Sequence, residues 1–326
     1  MWFDGGVNTI QREGAKVSII GAGAVGSSLA YAALMRGTAR HIVLQDINEA
    51  KVRAEALDLA HGSQFFPEAV IQGSSDPAAT EGSDVVVVTA GAKQKPGQTR
   101  LDLAATTVRL MQQVIPPLIE RSPDAIFLMV TNPVDVTTHA ALKISGLPPE
   151  RVFGSGTVLD SARLRQLIAR ETNIAVNNIH AYVCGEHGDS EIPLWSTATI
   201  GGVPLAEWEQ GTNRLDAGKR ADIAHRVVRA AYEVIEGKGA TNYAIGLAAT
   251  RILSAILRDE HAILPVSREL DDWHDISGIC MSVPTVVSRS GAGRQLALPV
   301  SDDELTALRA SAEAIQQVQS SLETAL

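Results

Sequence analysis

Lys16-Val17-Ser18-Ile19-Ile20-Gly21-Ala22-Gly23-Ala24-Val25-Gly26 decides the fold. A short β-branched run meets a Gly-x-Gly-x-x-Gly turn. The turn leads straight into an Ala-rich segment, Ala24 to Met35, that Gly37 stops. The pattern predicts strand, tight turn and helix in succession. In that setting the first glycine permits the turn, the second lets the backbone approach a pyrophosphate, and the third lets helix and strand pack closely. The helix start would offer its unpaired N–H groups to the phosphates. Asp46 stands twenty residues after Gly26, at the end of the next apolar run, His41 to Gln45. Its carboxylate can accept hydrogen bonds from a ribose diol and would repel a 2′-phosphate, which favours NAD over NADP. The competing reading is that Asp46 merely caps the following helix.

Working outward, the first half alternates. After the helix expected over Glu49 to His61 comes a weak strand at Ala69 to Gln72. Asp84 to Thr89 follows, with four consecutive valines that mark a strand buried on both faces. Leu103 to Glu120 has helical spacing, with Pro116 and Pro117 leaving its end open, and Ala125 to Val130 reads as another buried strand. Strands alternating with helices give a parallel sheet covered on both faces, and right-handed crossovers make it a doubly wound, Rossmann-like α/β fold. The second half reads as α+β: a strand at Ile179 to Cys184, helices around Asn213 to Glu236 and Thr241 to Leu257, short strands between His261 and Leu298, and a last helix opened by Ser301. The expected domains are 1–155 for the dinucleotide, with 1–14 as a leading tail, and 156–326 for the substrate.

Composition narrows the function. The 326 residues include 45% apolar and 20% charged types, enough for a sizeable core. The net charge of -9, without a long Lys/Arg run, argues against nucleic acid as a partner. No stretch approaches the roughly 20 apolar residues of a membrane span, and Met1 to Gly14 does not read as a signal peptide. Cys184 and Cys280 stand far apart in no metal or redox spacing. The expectation is a cytoplasmic protein without a resident metal.

Three segments concentrate polar groups: Gly91 to Arg100 after the valine strand, Thr131-Asn132-Pro133 after the next strand, and Asp160-Ser161-Ala162-Arg163 together with Gly185-Glu186-His187-Gly188-Asp189. Ligands of such sheets sit at the C-terminal strand ends, where the first two segments fall. Oxidising a secondary alcohol by hydride transfer needs a base for the hydroxyl proton, and histidine has the right intrinsic pKa. A buried carboxylate beside it would fix its tautomer, an arginine can hold a substrate carboxylate, and a second cation can polarise a carbonyl. A hydrolase reading fails, since neither GxSxG nor HExxH occurs, and Gly237-Lys238-Gly239 does not make a P-loop.

With GAGAVG, GAKQKPGQTRLDL, TNPVD, GSGTVLDSARLR, GEHGDS and KGAT in order, the chain resembles the L-lactate/malate dehydrogenase family from about Ala15 to the last helix, and within it the bacterial L-lactate dehydrogenases. The resemblance implies interconversion of (S)-lactate and pyruvate with NAD. It implies His187 as proton acceptor, Asp160 as its partner, Arg163 on the substrate carboxylate and Arg100 on the substrate carbonyl. Asn132 would touch the substrate oxygen and the nicotinamide end, and Thr241 would line the pocket. Gly21, Gly23, Val25, Gly26, Asp46, Gly91, Ala92 and Asn132 would hold the cofactor. Gln94 stands where related malate dehydrogenases carry an arginine, which points to a monocarboxylate such as pyruvate. Arg165 and His180 match cationic positions that bind fructose 1,6-bisphosphate, and a homotetramer is implied as well. Gln98, the run Ala104 to Thr107 and Ser288-Arg289-Ser290 depart from the pattern. The alternatives are a malate dehydrogenase, or a nucleotide-sensing protein that has lost turnover.

Overall fold

The computed structural model describes residues 14–91, 100–208 and 214–322. The chain runs through β1 (Lys16–Ile20), α1 (Ala24–Met35), β2 (His41–Gln45), α2 (Glu49–His61), β3 (Val70–Ser74), β4 (Val85–Val88), α3 (Arg100–Arg121), β5 (Ile126–Met129), α4 (Val134–Ser145), β6 (Val152–Gly154) and α5 (Val158–Thr172). Short strands follow, β7 (Ile179–His180), β8 (Val183–Cys184), β9 (Ile192–Pro193), β10 (Thr199–Ile200) and β11 (Val203–Pro204). Then come α6 (Ala217–Lys238), α7 (Tyr243–Leu257), β12 (Ala262–Glu269), β13 (Cys280–Ser288), β14 (Gly291–Gln295) and α8 (Asp302–Leu322).

The main sheet has nine strands in the order β14-β13-β12-β6-β5-β4-β1-β2-β3. The run from β3 to β6 is parallel throughout, as the alternation predicts. The valine strand shows why both faces are covered. Val85 and Val87 pack on one side with α1 and α7 residues such as Leu29 and Ile252, and Val86 and Val88 on the other with Met111 and Ile115 of α3. All four are fully buried, and burying each is worth about 1.5–3 kcal/mol. The strand order reverses between β1 and β4, which leaves a crevice beyond their C-terminal ends. Thr89 bridges that point, its Oγ1 donating to Gly21 O at 2.9 Å.

One sequence expectation needs correction. The strand expected over Ile179 to Cys184 is two strands in different sheets: β7 pairs with β10, and β8 with β9. The carbonyls between them are taken by other groups, Ala181 O by Arg165 Nε at 2.9 Å and Tyr182 O by Leu194 N at 2.8 Å, so no single ladder can run through. The strands expected between His261 and Leu298 are β12, β13 and β14, and they extend the main sheet, with β12 antiparallel to β6. The helix expected over Leu103 to Glu120 forms, and it runs through Pro116 and Pro117 to Arg121. Pro116 lies on the exposed face, where water can satisfy the carbonyls that lose their donors, while Met111, Ile115 and Leu118 stay buried beneath. The last helix is capped as expected. Ser301 N donates to Glu304 Oε2 at 3.1 Å and Glu304 N donates to Ser301 Oγ at 3.3 Å, a reciprocal capping box.

Candidate active site

The glycine turn first. Gly23 is the N-cap of α1, with no side chain capping the helix and no acidic residue in its first turn, so that helix end keeps its N–H groups and positive potential for an anion. A Cβ built on Gly23 meets nothing within 4 Å, whereas one on Gly26 would lie 1.9 Å from Gly21 O. The open side of the turn is where a pyrophosphate fits, and the closed side is where α1 packs. Asp46 does not cap α2. Asn48 does, its side chain accepting from Lys51 N. Asp46 instead ties the turn to β2, Oδ2 accepting from Ala22 N at 2.8 Å and Oδ1 from Asn48 N at 3.0 Å. A carboxylate has about four acceptor positions, so two remain for a ribose diol. These residues fit a dinucleotide.

Across the crevice, Gly91 follows β4 and Asn132 follows β5. The two loops touch: Thr131 Oγ1 donates to Ala90 O at 2.7 Å, and a Cβ on Gly91 would meet Thr131 Cγ2 at 2.7 Å. Asn132 is exposed at the mouth, with a cis bond to Pro133. Thr241 immediately precedes α7, whose N-cap Asn242 donates Nδ2 to Ser28 Oγ of α1 at 2.8 Å. Ala92 and Gln94 lie outside the described residues, and so does the side chain of Arg100.

The charged centre is built on α5. Asp160 sits in its first turn with a side chain 1% exposed. One turn on, Arg163 Nη1 donates to Asp160 Oδ1 at 2.5 Å, and the other oxygen, Oδ2, lies 2.7 Å from His187 Nδ1. Thus three of the expected residues meet on one buried carboxylate. Burial works against the charge of Asp160, but His187 and Arg163 overcome it and hold the carboxyl below its ordinary value. Burial pulls the His187 imidazole down, yet the charge and hydrogen bond of Asp160, helped by Glu191 and Asp135, push it up to about 9.

The loop carrying His187 is fixed on several sides. Val183 N donates to Ser161 Oγ of α5 at 2.8 Å, and Gly185 exchanges backbone hydrogen bonds with Ser282 of β13 at 3.0 and 3.1 Å. Gly185 has φ +97 and its missing Cβ would crowd Ser311 Oγ at 2.9 Å, so the bend needs glycine. Ser311 of α8 in turn accepts from Glu186 N at 2.9 Å.

Two buried carboxylates escaped the sequence reading. Glu191, its side chain 3% exposed, places Oε2 at 3.9 Å from His187 Nδ1. Burial and then the charge of Asp160 push it up to about 8. Asp135, in the first turn of α4, accepts from His187 N at 2.8 Å and from Ser267 Oγ at 2.6 Å. The run Thr131 to Asp135 was the only signal for the latter, and nothing in it names the partner. Ligand atoms of Asp160, His187 and Glu191 fall within 4.8 Å of one another, but Arg163 and His187 already occupy both oxygens of Asp160. The cluster is a compensated hydrogen-bond network.

Arg165, one turn beyond Ser161 on α5, stacks over Tyr182 at 5.3 Å from the ring centroid, and His180 is exposed on β7. Both cysteines are buried, and burial pushes both thiols up, which keeps them protonated. Among the described residues, no helix is long and apolar enough to cross a membrane.

Comparison with known proteins gives the family. Residues 15–154 match the lactate/malate dehydrogenase NAD binding domain, and 157–324 match the alpha/beta C-terminal domain of the same family. The chain is 56% identical over 304 residues to an L-lactate dehydrogenase of Bifidobacterium animalis subsp. lactis, covering 93% of this chain and 95% of that one. It is 46% identical to one from Thermoanaerobacter sp., covering 93% and 97%. A crystal structure of the minor L-lactate dehydrogenase from Enterococcus mundtii superposes with a TM-score of 0.92 at 38% identity, covering 95% and 98%. The chain belongs to the lactate/malate dehydrogenase family and is an NAD-dependent oxidoreductase.

Proposed function

We propose that this enzyme interconverts (S)-lactate and pyruvate, and that Asp160, shared between His187 and Arg163, is the observation that carries the reading. NAD, when bound, supplies the hydride acceptor or donor. The Asp160 contact keeps a proton on His187 Nδ1, so Nε2 is the nitrogen that takes the hydroxyl proton of lactate and returns it to pyruvate. Arg163 spends one nitrogen on Asp160 and has others for the substrate carboxylate, which fixes the distance between that carboxylate and His187. Arg100 polarises the keto oxygen and Asn132 accepts or donates beside it. Thr241 closes the pocket near the nucleotide helix. Gly21, Gly23, Val25, Gly26, Asp46, Gly91, Ala92 and Asn132 hold the cofactor. Oxidation of NADH with pyruvate, against the same assay with oxaloacetate, tests the whole. A preference for oxaloacetate overturns the substrate assignment.

The regulatory reading rests on Arg165 and His180. One guanidinium nitrogen of Arg165 is committed to Ala181 O, which aims the group from a fixed base, and the neighbouring His180 is open to solvent. Two such pairs facing each other across a two-fold axis would repel until a bisphosphate neutralised them. Fructose 1,6-bisphosphate is therefore expected to lower the pyruvate concentration giving half-maximal rate, and Arg165→Gln to weaken that response. A saturation curve unchanged by the bisphosphate removes the proposal.

A homotetramer in the cytoplasm completes the assignment. Tyr31, Met35, Leu57, Tyr243 and Leu247 are all exposed on α1, α2 and α7, and four of them except Leu57 line a 620 Å³ hollow between those helices. Exposed apolar side chains gathered in this way support an interface there. Light scattering is expected to give four times the 34.5 kDa chain mass. A monomer in solution would refute the assembly.

A further inference from the structure

We propose that Asp135 is a positioning residue for the reaction: it joins the helix that follows Asn132 to the backbone of His187, and its carboxylate bears on the charge of the imidazole. The proposal rests on the dehydrogenase reading above. Three observations support it. Asp135 is 3% exposed, and a carboxylate that deep is retained only where partners are provided. Both oxygens have one: the backbone N–H of His187 at 2.8 Å and the hydroxyl of Ser267 at 2.6 Å. Its position is also particular, because Asn132 lies three residues before it, at the end of β5, with α4 starting between them. A single side chain thus sets the separation between the residue meant to meet the substrate oxygen and the histidine meant to move its proton.

Charge matters as well as tether. The groups whose charge acts on His187 are Asp160 from α5, Glu191 from its own loop and Asp135 from α4; Arg163 bears on Asp160 and Glu191, and Glu186 on Asp135. Burial raises Asp135 itself to about 6, against the pull of Ser267 and His187, so it is ionised at neutral pH. An ionised Asp135 favours the imidazolium that pyruvate reduction consumes.

Asp135→Asn separates the two roles. An amide oxygen still accepts from His187 N, and its NH2 can donate to Ser267 Oγ, so the tether persists while the charge is lost. Asp135→Ala removes both. The first readout needs no substrate: diethyl pyrocarbonate reacts with neutral imidazole, so the pH dependence of its reaction with the apo-protein, with His187→Asn as the blank, reports the ionisation of His187. Asp135→Asn is expected to move that inflection to lower pH by about half a unit. The second readout is turnover. kcat with the 2-keto acid that the wild type turns over best is expected to fall about tenfold in Asp135→Asn and about a hundredfold in Asp135→Ala, with NADH affinity unchanged. If wild type ignores pyruvate, the substrate reading fails, yet the imidazole titration still tests Asp135. An unmoved inflection together with kcat within twofold of wild type in Asp135→Asn overturns the proposal, even if Asp135→Ala does not fold.

Discussion

His187→Asn is expected to lower kcat/KM for pyruvate by about 10³- to 10⁴-fold while leaving NADH binding intact. The size follows from what is lost. Asparagine cannot deliver a proton at neutral pH, and the charge that would draw the keto oxygen disappears with it. NADH binding is spared because the glycine turn follows β1 and Asp46 follows β2, whereas the His187 loop is held by α5 and β13. The pH dependence is the sharper test. Pyruvate reduction needs the imidazolium, which exists below about 9, so the rate with pyruvate is flat through neutrality and falls as pH rises through that value. Lactate oxidation needs the neutral imidazole and gains over the same range. Asp160→Asn removes the principal group holding the imidazole up, and both inflections are then expected to move to lower pH. The same ionisation bears on stability. A group raised in the folded state, here from 6.5 to about 9, contributes stability that is full below 6.5 and is lost as pH rises through 9. Residual activity of His187→Asn within tenfold of wild type, or a pyruvate profile unchanged between pH 8 and 10, would show that another group moves the proton.

The parallel sheet was readable because its signals are local. Gly21 to Gly26 needs only its flanking strand and helix, and the four valines at 85 to 88 announce a doubly buried strand without reference to any partner. The active centre is not local. Asp160 and His187 are 27 positions apart, and no periodicity joins them. The likeness to the family's motifs paired them, and the fold does so by hanging the His187 loop between α5 and β13. Asp135 is further from reach, since it grips a backbone N–H that every residue but proline possesses. The break between β7 and β8 was hidden for a like reason. It is made by Arg165 and Leu194 claiming two carbonyls, and β-branched residues on either side of Ala181 and Tyr182 read as one run.

Gln94→Arg is expected to reverse the choice of keto acid. Pyruvate and oxaloacetate share the carboxylate that Arg163 would bind and the keto group facing His187; they differ at the far carbon, a methyl in one and a carboxylate in the other. On the family resemblance Gln94 is the residue that would read this carbon, and beside its neutral amide the second carboxylate would stand unpaired in a site that hydride transfer requires to be dry. An uncompensated buried charge costs about 3–5 kcal/mol, which at about 1.4 kcal/mol per tenfold is a hundredfold or more against oxaloacetate. Arginine inverts the sign. Oxaloacetate gains a partner for its second carboxylate, while pyruvate leaves the new guanidinium facing a methyl, itself an unpaired charge. The two effects multiply, so the ratio of kcat/KM values for the two acids is expected to swing by about 10⁴. Fully independent evidence comes from ionic competition: a dicarboxylate lacking the keto group should inhibit Gln94→Arg and leave the parent untouched. A parent that already prefers oxaloacetate, or a variant whose preference stays within tenfold of the parent's, would mean that the far carbon is read by some residue other than Gln94.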